Sequence, residues 1–183
     1  MFCPALPTAG WSFAFGESHY QLVGPPGWVV GSELLTPHPD YWTTLLWRQV
    51  VGTRVLASTT SGGDDALRQG VTLSLWCAAE QTSPFGAGTV VMPYAVMGTS
   101  PVAVSVPASL LGAATVRFVL TAPGGDLQAD ELLLNSEPLE LNSDGSLKAY
   151  PISGILAPAA PQITLPGQSY GFVAFEAPIQ ACG

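Results

Sequence analysis

Positive charge is scarce in this sequence of 183 residues. Lys and Arg together number 5 against 13 Asp and Glu, so the formal net charge is −8 at neutral pH. A protein that binds nucleic acid neutralises a row of phosphates with clustered cations, and this chain has too few of them. The acidic balance also disfavours binding to anionic membrane surfaces. We therefore expect no nucleic-acid partner and no membrane-surface partner.

Long apolar runs are absent too, since Pro, Gly or polar residues interrupt every stretch before it reaches the roughly 18 residues of a membrane span. The N-terminal residues MFCPALPTAGW have no basic residue before their apolar part, which is untypical of a signal peptide. We expect neither a membrane span nor a signal peptide in this chain. The 48% of apolar residues, with 20 Gly and 17 Pro, is instead typical of a folded chain with many turns.

Histidine occurs only twice, as His19 and His38. Neither has Cys or carboxylate residues around it at the spacing of a metal site, so we expect no bound metal and no cofactor. A Ser-His-Asp arrangement that uses His38 and Asp40 lacks the Gly-x-Ser-x-Gly sequence that presents a nucleophile. We interpret His38 as part of the start of a helix.

One helix is predicted at residues 40–51, DYWTTLLWRQVV. Asp40 is the predicted N-cap and Gly52 the predicted left-handed residue after the C-terminus. Four of five positions on one face are apolar, which predicts that this face packs against another element. The five positions are Trp42, Leu45, Leu46, Gln49 and Val50.

The region before this helix has the pattern of an α/β protein. The apolar run Phe13–Phe15, followed by Gly16 and polar residues, predicts a buried parallel strand, and the Gly- and Pro-rich stretch 24–39 predicts a long loop. A single strand and helix cannot close a parallel sheet, because each strand needs neighbours. We therefore expect the first 55 residues to be the end of a larger domain that this chain lacks.

The remainder of the chain predicts an all-β domain. Turn sequences such as APGGD and NSDG separate eight short apolar or alternating segments, and their number and spacing favour an antiparallel β-sandwich. We thus expect a mainly β protein with an irregular N-terminus at 1–12, a strand and helix at 13–52, and a sandwich at 53–183. The predicted strands are 53–59, 70–79, 88–94, 101–106, 114–121, 130–135, 137–141 and 169–176.

Several long segments carry a resemblance to a known family. From about Phe15 onwards, the stretches HYQLVGPPGWVVGSELLTPHPDYWTTLLWRQVVGTRVLAS, VTLSLWC, LTAPGGDLQADELLLNSEPLELNSDGSL and LPGQSYGFVAFEAPIQACG follow one another in order. They resemble the C-terminal part of heparanases and heparanase-like proteins of glycoside hydrolase family 79, and LLLNSEPLELNSDGSL is most similar to the plant branch. The resemblance implies a (β/α)8 barrel with a β-sandwich beside it, so that residues 13–52 are the last strand and helix of an incomplete barrel.

The resemblance also implies a retaining β-glucuronidase or endo-β-glucuronidase. Such enzymes use two barrel Glu residues, an acid/base and a nucleophile, with carboxyl groups about 5 to 5.5 Å apart. Both precede the matching region, so we expect no catalytic residue in this chain and no hydrolysis without the missing catalytic barrel. Glu17 follows the predicted barrel strand, where catalytic groups lie. Because the family has no carboxylate at that position, we interpret Glu17 as a solvated loop residue.

Three residues are candidates for substrate binding. Tyr20 matches a family Tyr that touches the sugar, and Ser18 matches a Gly whose backbone faces the ligand, so the Ser side chain changes the fit of the substrate. Trp28 lies in the predicted loop, where an aromatic ring can stack on a sugar. The alternatives are that Tyr20 only packs under the following loop and that the Trp residues, Trp42 and Trp76 above all, belong to the core.

The resemblance further implies a disulfide between Cys77 and Cys182, which would tie the last strand to an early one. A disulfide requires an oxidising compartment, so the intact protein is expected in the secretory pathway and finally outside the cell or in a lysosome or vacuole. That expectation conflicts with the absence of a signal peptide unless Met1 is an internal or mispredicted start. Cys3 has no predicted partner.

The charge pattern bears on the substrate. The five cations, Arg48, Arg54, Arg68, Arg117 and Lys148, are scattered, whereas a sulfated polyanion requires a basic cluster. A glucuronide or a weakly charged glycan containing glucuronic acid is therefore the expected ligand, although the missing barrel could supply cations. The alternative function is that of a stand-alone, non-catalytic β-sandwich that binds carbohydrate or accompanies a separately encoded barrel.

Overall fold

The computed structural model describes residues 22–24, 36–58, 69–79, 85–86, 88–126 and 129–183. Within them the protein is mainly β, with antiparallel sheets and one α-helix, consistent with a β-sandwich. The helix α1 spans Pro39–Val50. The strands are β1 Val23–Gly24, β2 Thr36–Pro37, β3 Val51–Leu56, β4 Val71–Leu73, β5 Leu75–Ala78, β6 Val90–Val96, β7 Val102–Ser105, β8 Thr115–Thr121, β9 Leu133–Leu134, β10 Glu137–Pro138, β11 Ile155–Ala157, β12 Gln162–Leu165 and β13 Ser169–Phe175.

A nine-stranded sheet forms the body of the protein. Its strand order is β10-β9-β8-β13-β6-β5-β3, with β11 also paired to β8 and β4 also paired to β6. The central strand β13 is antiparallel to both β6 and β8, so that Phe172 lies between Pro93 and Phe118. A Cβ atom on Gly171, whose φ is +149°, would lie 1.9 Å from the Phe118 carbonyl oxygen. Glycine at 171 therefore allows β13 and β8 to approach each other.

Both faces of this sheet are covered, which explains why its central strands are so apolar. Along β13, Phe172 and Ala174 belong to a core under α1, whereas Val173 and Phe175 belong to a second core on the opposite face. The second core is closed by a separate antiparallel ribbon of β7 and β12, from which Ile163 and Leu165 are buried. Successive side chains of β13 point to opposite faces of the sheet, so the helix and the ribbon lie on opposite sides of it.

The helix stripe predicted from the sequence is buried on the sheet at Trp42, Leu46 and Val50. Gln49 is the polar member of this stripe and is fully buried. Its side-chain Nε2 donates to the Ile152 carbonyl oxygen at 2.7 Å, and its Oε1 accepts from the Ile152 N–H at 2.7 Å. A polar residue is tolerated there because both ends of its amide are paired.

The predicted ends of the helix were wrong. His38, in an extended conformation, is the N-cap residue, and Asp40 lies in the first turn after Pro39. The chain continues from α1 straight into β3, and Gly52 is a strand residue without a positive φ. A Cβ atom on Gly52 would lie 2.7 Å from the carbonyl oxygens of Cys77 and Ala78. Glycine at 52 is therefore explained by the close approach of β5 and not by the end of a helix.

Each of the eight predicted strand regions overlaps at least one observed strand, although β3 begins before its predicted region, β6 extends beyond its own, and most observed strands are shorter than predicted. The sequence analysis missed β11 and β12, and it missed the ribbon of β1 and β2 in the predicted loop. The predicted strand at Phe13–Phe15 lies outside the described residues. No helix in the described part of the chain is both long and apolar enough to cross a membrane.

Candidate functional site

The three predicted substrate-binding residues, Ser18, Tyr20 and Trp28, all lie outside the described residues, as does Glu17. The structure does describe the backbone on either side of the interval that contains Trp28. Strands β1 and β2 pair in the register Val23 with Pro37 and Gly24 with Thr36. The His38 N–H also donates to the Leu22 carbonyl oxygen at 3.0 Å. Residues 22–24 are therefore hydrogen-bonded to the segment that leads into α1.

His38 is buried where this ribbon meets the helix, with 1% of its surface exposed. Its Nδ1 lies 4.0 Å from Oδ1 of Asp130, a partly exposed residue shortly before β9. The backbone carbonyl of His38 accepts from the N–H of Tyr41 in the first turn of α1. His38 thus lies at the start of the helix, as the sequence analysis predicted, and next to the segment that leads to β9.

A groove of about 350 Å³ runs between α1 and the central strands β6 and β13. Its helical wall consists of Pro39, Thr43 and Trp47, which form a second stripe beside the one buried in the core. The other lining residues come from the sheet and from the loops at its end, and they are Pro93–Met97, Ala122, Ala129, Glu131, Leu132 and Gln168–Phe172. The groove is predominantly apolar, as small-molecule sites usually are.

Tyr170 is one of the polar residues that line the groove. Its hydroxyl lies 3.2 Å from Thr43 Oγ1, which also donates to the Pro39 carbonyl oxygen at 2.9 Å. Burial raises the pKa of the Tyr170 hydroxyl above its usual value, the hydrogen bond with Thr43 lowers it in part, and the charge of Asp40 adds to the rise. Tyr170 is therefore uncharged at neutral pH and joins the helix to the sheet.

Trp47 is 39% exposed at the rim of this groove. Its ring makes edge-to-face contacts with Trp76 and Phe172, with centroids 5.6 and 6.0 Å apart. The core role predicted for Trp42 is confirmed, because that residue is buried. The sequence analysis missed the groove. The one signal in the sequence is the spacing of Pro39, Thr43 and Trp47, which is that of a second helical stripe, and it does not show which strands lie opposite.

The described Glu residues, Glu131, Glu137, Glu140 and Glu176, are all exposed. Glu131 is the only one of them that lines the groove. Glu140 instead forms an ion pair with Lys148. Within the described residues, the groove therefore lacks the pair of carboxylates that a retaining glycosidase requires. Those residues also contain no group of three or more His, Cys, Asp or Glu side chains arranged to hold a metal ion.

A disulfide joins Cys77 in β5 to Cys182 in the last turn of the chain, with Cα atoms 5.3 Å apart. This is the pairing that the resemblance implied. The same C-terminal segment is held by Arg54, whose Nη1 donates to the Ala181 carbonyl oxygen at 2.6 Å. It is also held by the Ile179 N–H, which donates to the Gly88 carbonyl oxygen at 3.0 Å. The C-terminus is thus attached to three separate parts of the sheet and its loops.

The described cations do not share a strand, helix or loop. Arg48 is on α1, Arg54 on β3 and Arg117 on β8, whereas Lys148 follows the bridge between Leu141 and Leu147. Arg117 Nε donates to Thr115 Oγ1 at 3.3 Å. Arg68 lies outside the described residues.

Comparison with known proteins bears out the resemblance, although no family model matches the chain. Mouse heparanase is 29% identical over 170 residues, which cover 92% of this chain and 29% of that protein. Heparanase-like protein 3 of Arabidopsis thaliana is 29% identical over 167 residues, which cover 83% of this chain and 31% of that protein. Baicalin-beta-D-glucuronidase of Scutellaria baicalensis is 28% identical over 113 residues, which cover 62% of this chain and 20% of that protein. The chain is therefore similar to heparanases and a plant heparanase-like protein over most of its own length, and spans less than a third of theirs.

Proposed function

We propose that this chain is the C-terminal, non-catalytic part of a heparanase-like retaining β-glucuronidase that acts on glycans containing glucuronic acid. The observation that carries the proposal is the similarity to these relatives over most of the chain but under a third of their length. One relative is named as a β-D-glucuronidase. In this proposal the acid/base and the nucleophile are Glu residues on a barrel that this chain lacks. Residues 13–52 derive from the end of that barrel, 53–183 are the sandwich, and 1–12 are irregular.

The described carboxylates support a non-catalytic role. A general acid in a glycosidase requires an apolar, water-poor pocket that keeps it protonated, and its partner must lie across the scissile bond. All four described Glu side chains are exposed, and the groove contains a single Glu. Substrate contact is instead proposed for Tyr20, Ser18 and Trp28.

The charge distribution supports a weakly charged substrate. Neighbouring anions on a sulfated chain require cations that act together, and the described cations are on separate elements. Because the chain has only 5 Lys and Arg, we propose a glucuronide, or a glycan with isolated glucuronic acid residues, as the substrate. The disulfide supports an oxidising compartment, so we place the intact protein in the secretory pathway, outside the cell or in a lysosome or vacuole.

A mechanism-based glucuronide that traps the nucleophile of retaining glycosidases tests this proposal. The isolated chain should remain unlabelled and should not hydrolyse an aryl β-glucuronide. A hybrid in which this chain replaces the matching stretch of mouse heparanase should be labelled at a Glu that the chain does not supply. Labelling of a Glu within this chain, or a folded hybrid that is neither labelled nor active, would overturn the proposal.

A second candidate function is that of a stand-alone β-sandwich that binds carbohydrate. It is favoured by the burial of Trp42, Leu46 and Val50 against the chain's own sheet, because that apolar stripe of the helix then needs no further domain to cover it. The test is calorimetric titration of the isolated chain with a β-glucuronide. This function requires measurable affinity that is lost in the Tyr20→Ala or Trp28→Ala variant and retained in the Tyr150→Ala variant, whose side chain is exposed. Absence of binding by the isolated chain contradicts this second function and leaves the first one intact.

A further inference from the structure

We draw no further inference here: the strongest candidate, the apolar groove between α1 and the central strands β6 and β13, carries nothing because no feature of the described residues shows what covers it.

Discussion

Gln49 shows how one side chain joins the helix to a distant loop. Its amide makes two hydrogen bonds of 2.7 Å to the backbone of Ile152. The Gln49→Met substitution keeps the size of the side chain but leaves a buried N–H and a buried C=O unpaired, at a cost of about 2 to 4 kcal/mol for the two groups. Urea unfolding of the wild type and the variant measures this difference in the free energy of unfolding.

Thr44→Met is the matched control, because Thr44 lies on the same helix but is exposed. Exposed substitutions of this kind change the stability by no more than about 0.5 kcal/mol. Equal losses in the two variants would show that the hydrogen bonds of Gln49 do not stabilise the fold.

At Gly171 the cost of adding a side chain depends on the space around the residue and not only on its backbone conformation. The Gly171→Ala substitution places a Cβ atom 1.9 Å from the Phe118 carbonyl oxygen and forces β13 and β8 apart. Gly145 also has a positive φ, of +79°, but a Cβ atom there meets nothing within 4 Å. Gly145→Ala should therefore cost only the roughly 1 to 2 kcal/mol of a left-handed residue, and Gly171→Ala more than about 4 kcal/mol. Comparable midpoints of thermal unfolding for the two variants would contradict this account.

The buried hydroxyls of Tyr94 and Tyr170 predict how stability changes at alkaline pH. Burial raises the pKa of both hydroxyls in the folded protein above the usual value of 10.0. The folded state therefore holds these protons more tightly than the unfolded chain does, so the free energy of unfolding falls as the pH rises above about 10. Urea unfolding between pH 9 and 11 should show a smaller fall in the Tyr94→Phe and Tyr170→Phe variants. Tyr150→Phe, which removes an exposed hydroxyl, should follow the wild type.

At the scale of the elements, the predictions from sequence succeeded where apolar periodicity was strong. The stripe of α1 and the apolar strands β6, β8 and β13 all occur in the structure, because burial on a face leaves a regular pattern. Strands β11 and β12 were missed because they are flanked by Pro151, Pro158 and Pro161, and proline is typical of turns. Gly52 was misread because the nearby backbone that requires glycine belongs to β5, which is distant in sequence. The groove could not be predicted either, because its walls come from α1, β6 and β13, which are distant from one another in sequence.

The disulfide is predicted to stabilise the sheet through the loop that it closes. Cys77 and Cys182 are 105 residues apart. Closing a loop of about 100 residues lowers the conformational entropy of the unfolded chain, and this raises the free energy of unfolding by up to about 4.7 kcal/mol at 25 °C. The Cys77→Ser, Cys182→Ser double variant should lose a large part of this stability, and dithiothreitol should not destabilise it further. Cys3→Ser is the control, since its disulfide remains, and it should match the wild type with and without reductant. Insensitivity of the wild type to reductant would contradict this prediction.

The core of the whole molecule includes residues from both sides of the boundary that the resemblance suggests. The resemblance divides the chain after residue 52, yet α1 supplies Trp42, Leu46 and Val50 to the same core as Phe118 and Phe172 of the sheet. Removal of α1 exposes this contiguous apolar face to water, and such a face promotes aggregation. A fragment of residues 53–183 should therefore bind the dye ANS strongly and unfold without a cooperative transition, as partly packed states do.

A fragment of residues 36–183 is the matched control, because it keeps α1 and the Gln49–Ile152 hydrogen bonds but not the ribbon partner β1. It should bind little ANS and unfold cooperatively, at a lower temperature than the full chain because Leu22 and β1 are lost. If fragment 53–183 were as cooperative as fragment 36–183, α1 would be dispensable to the sandwich and the two would be separate folding units. The opposite result would show that α1 and the strands of residues 53–183 form one cooperative folding unit.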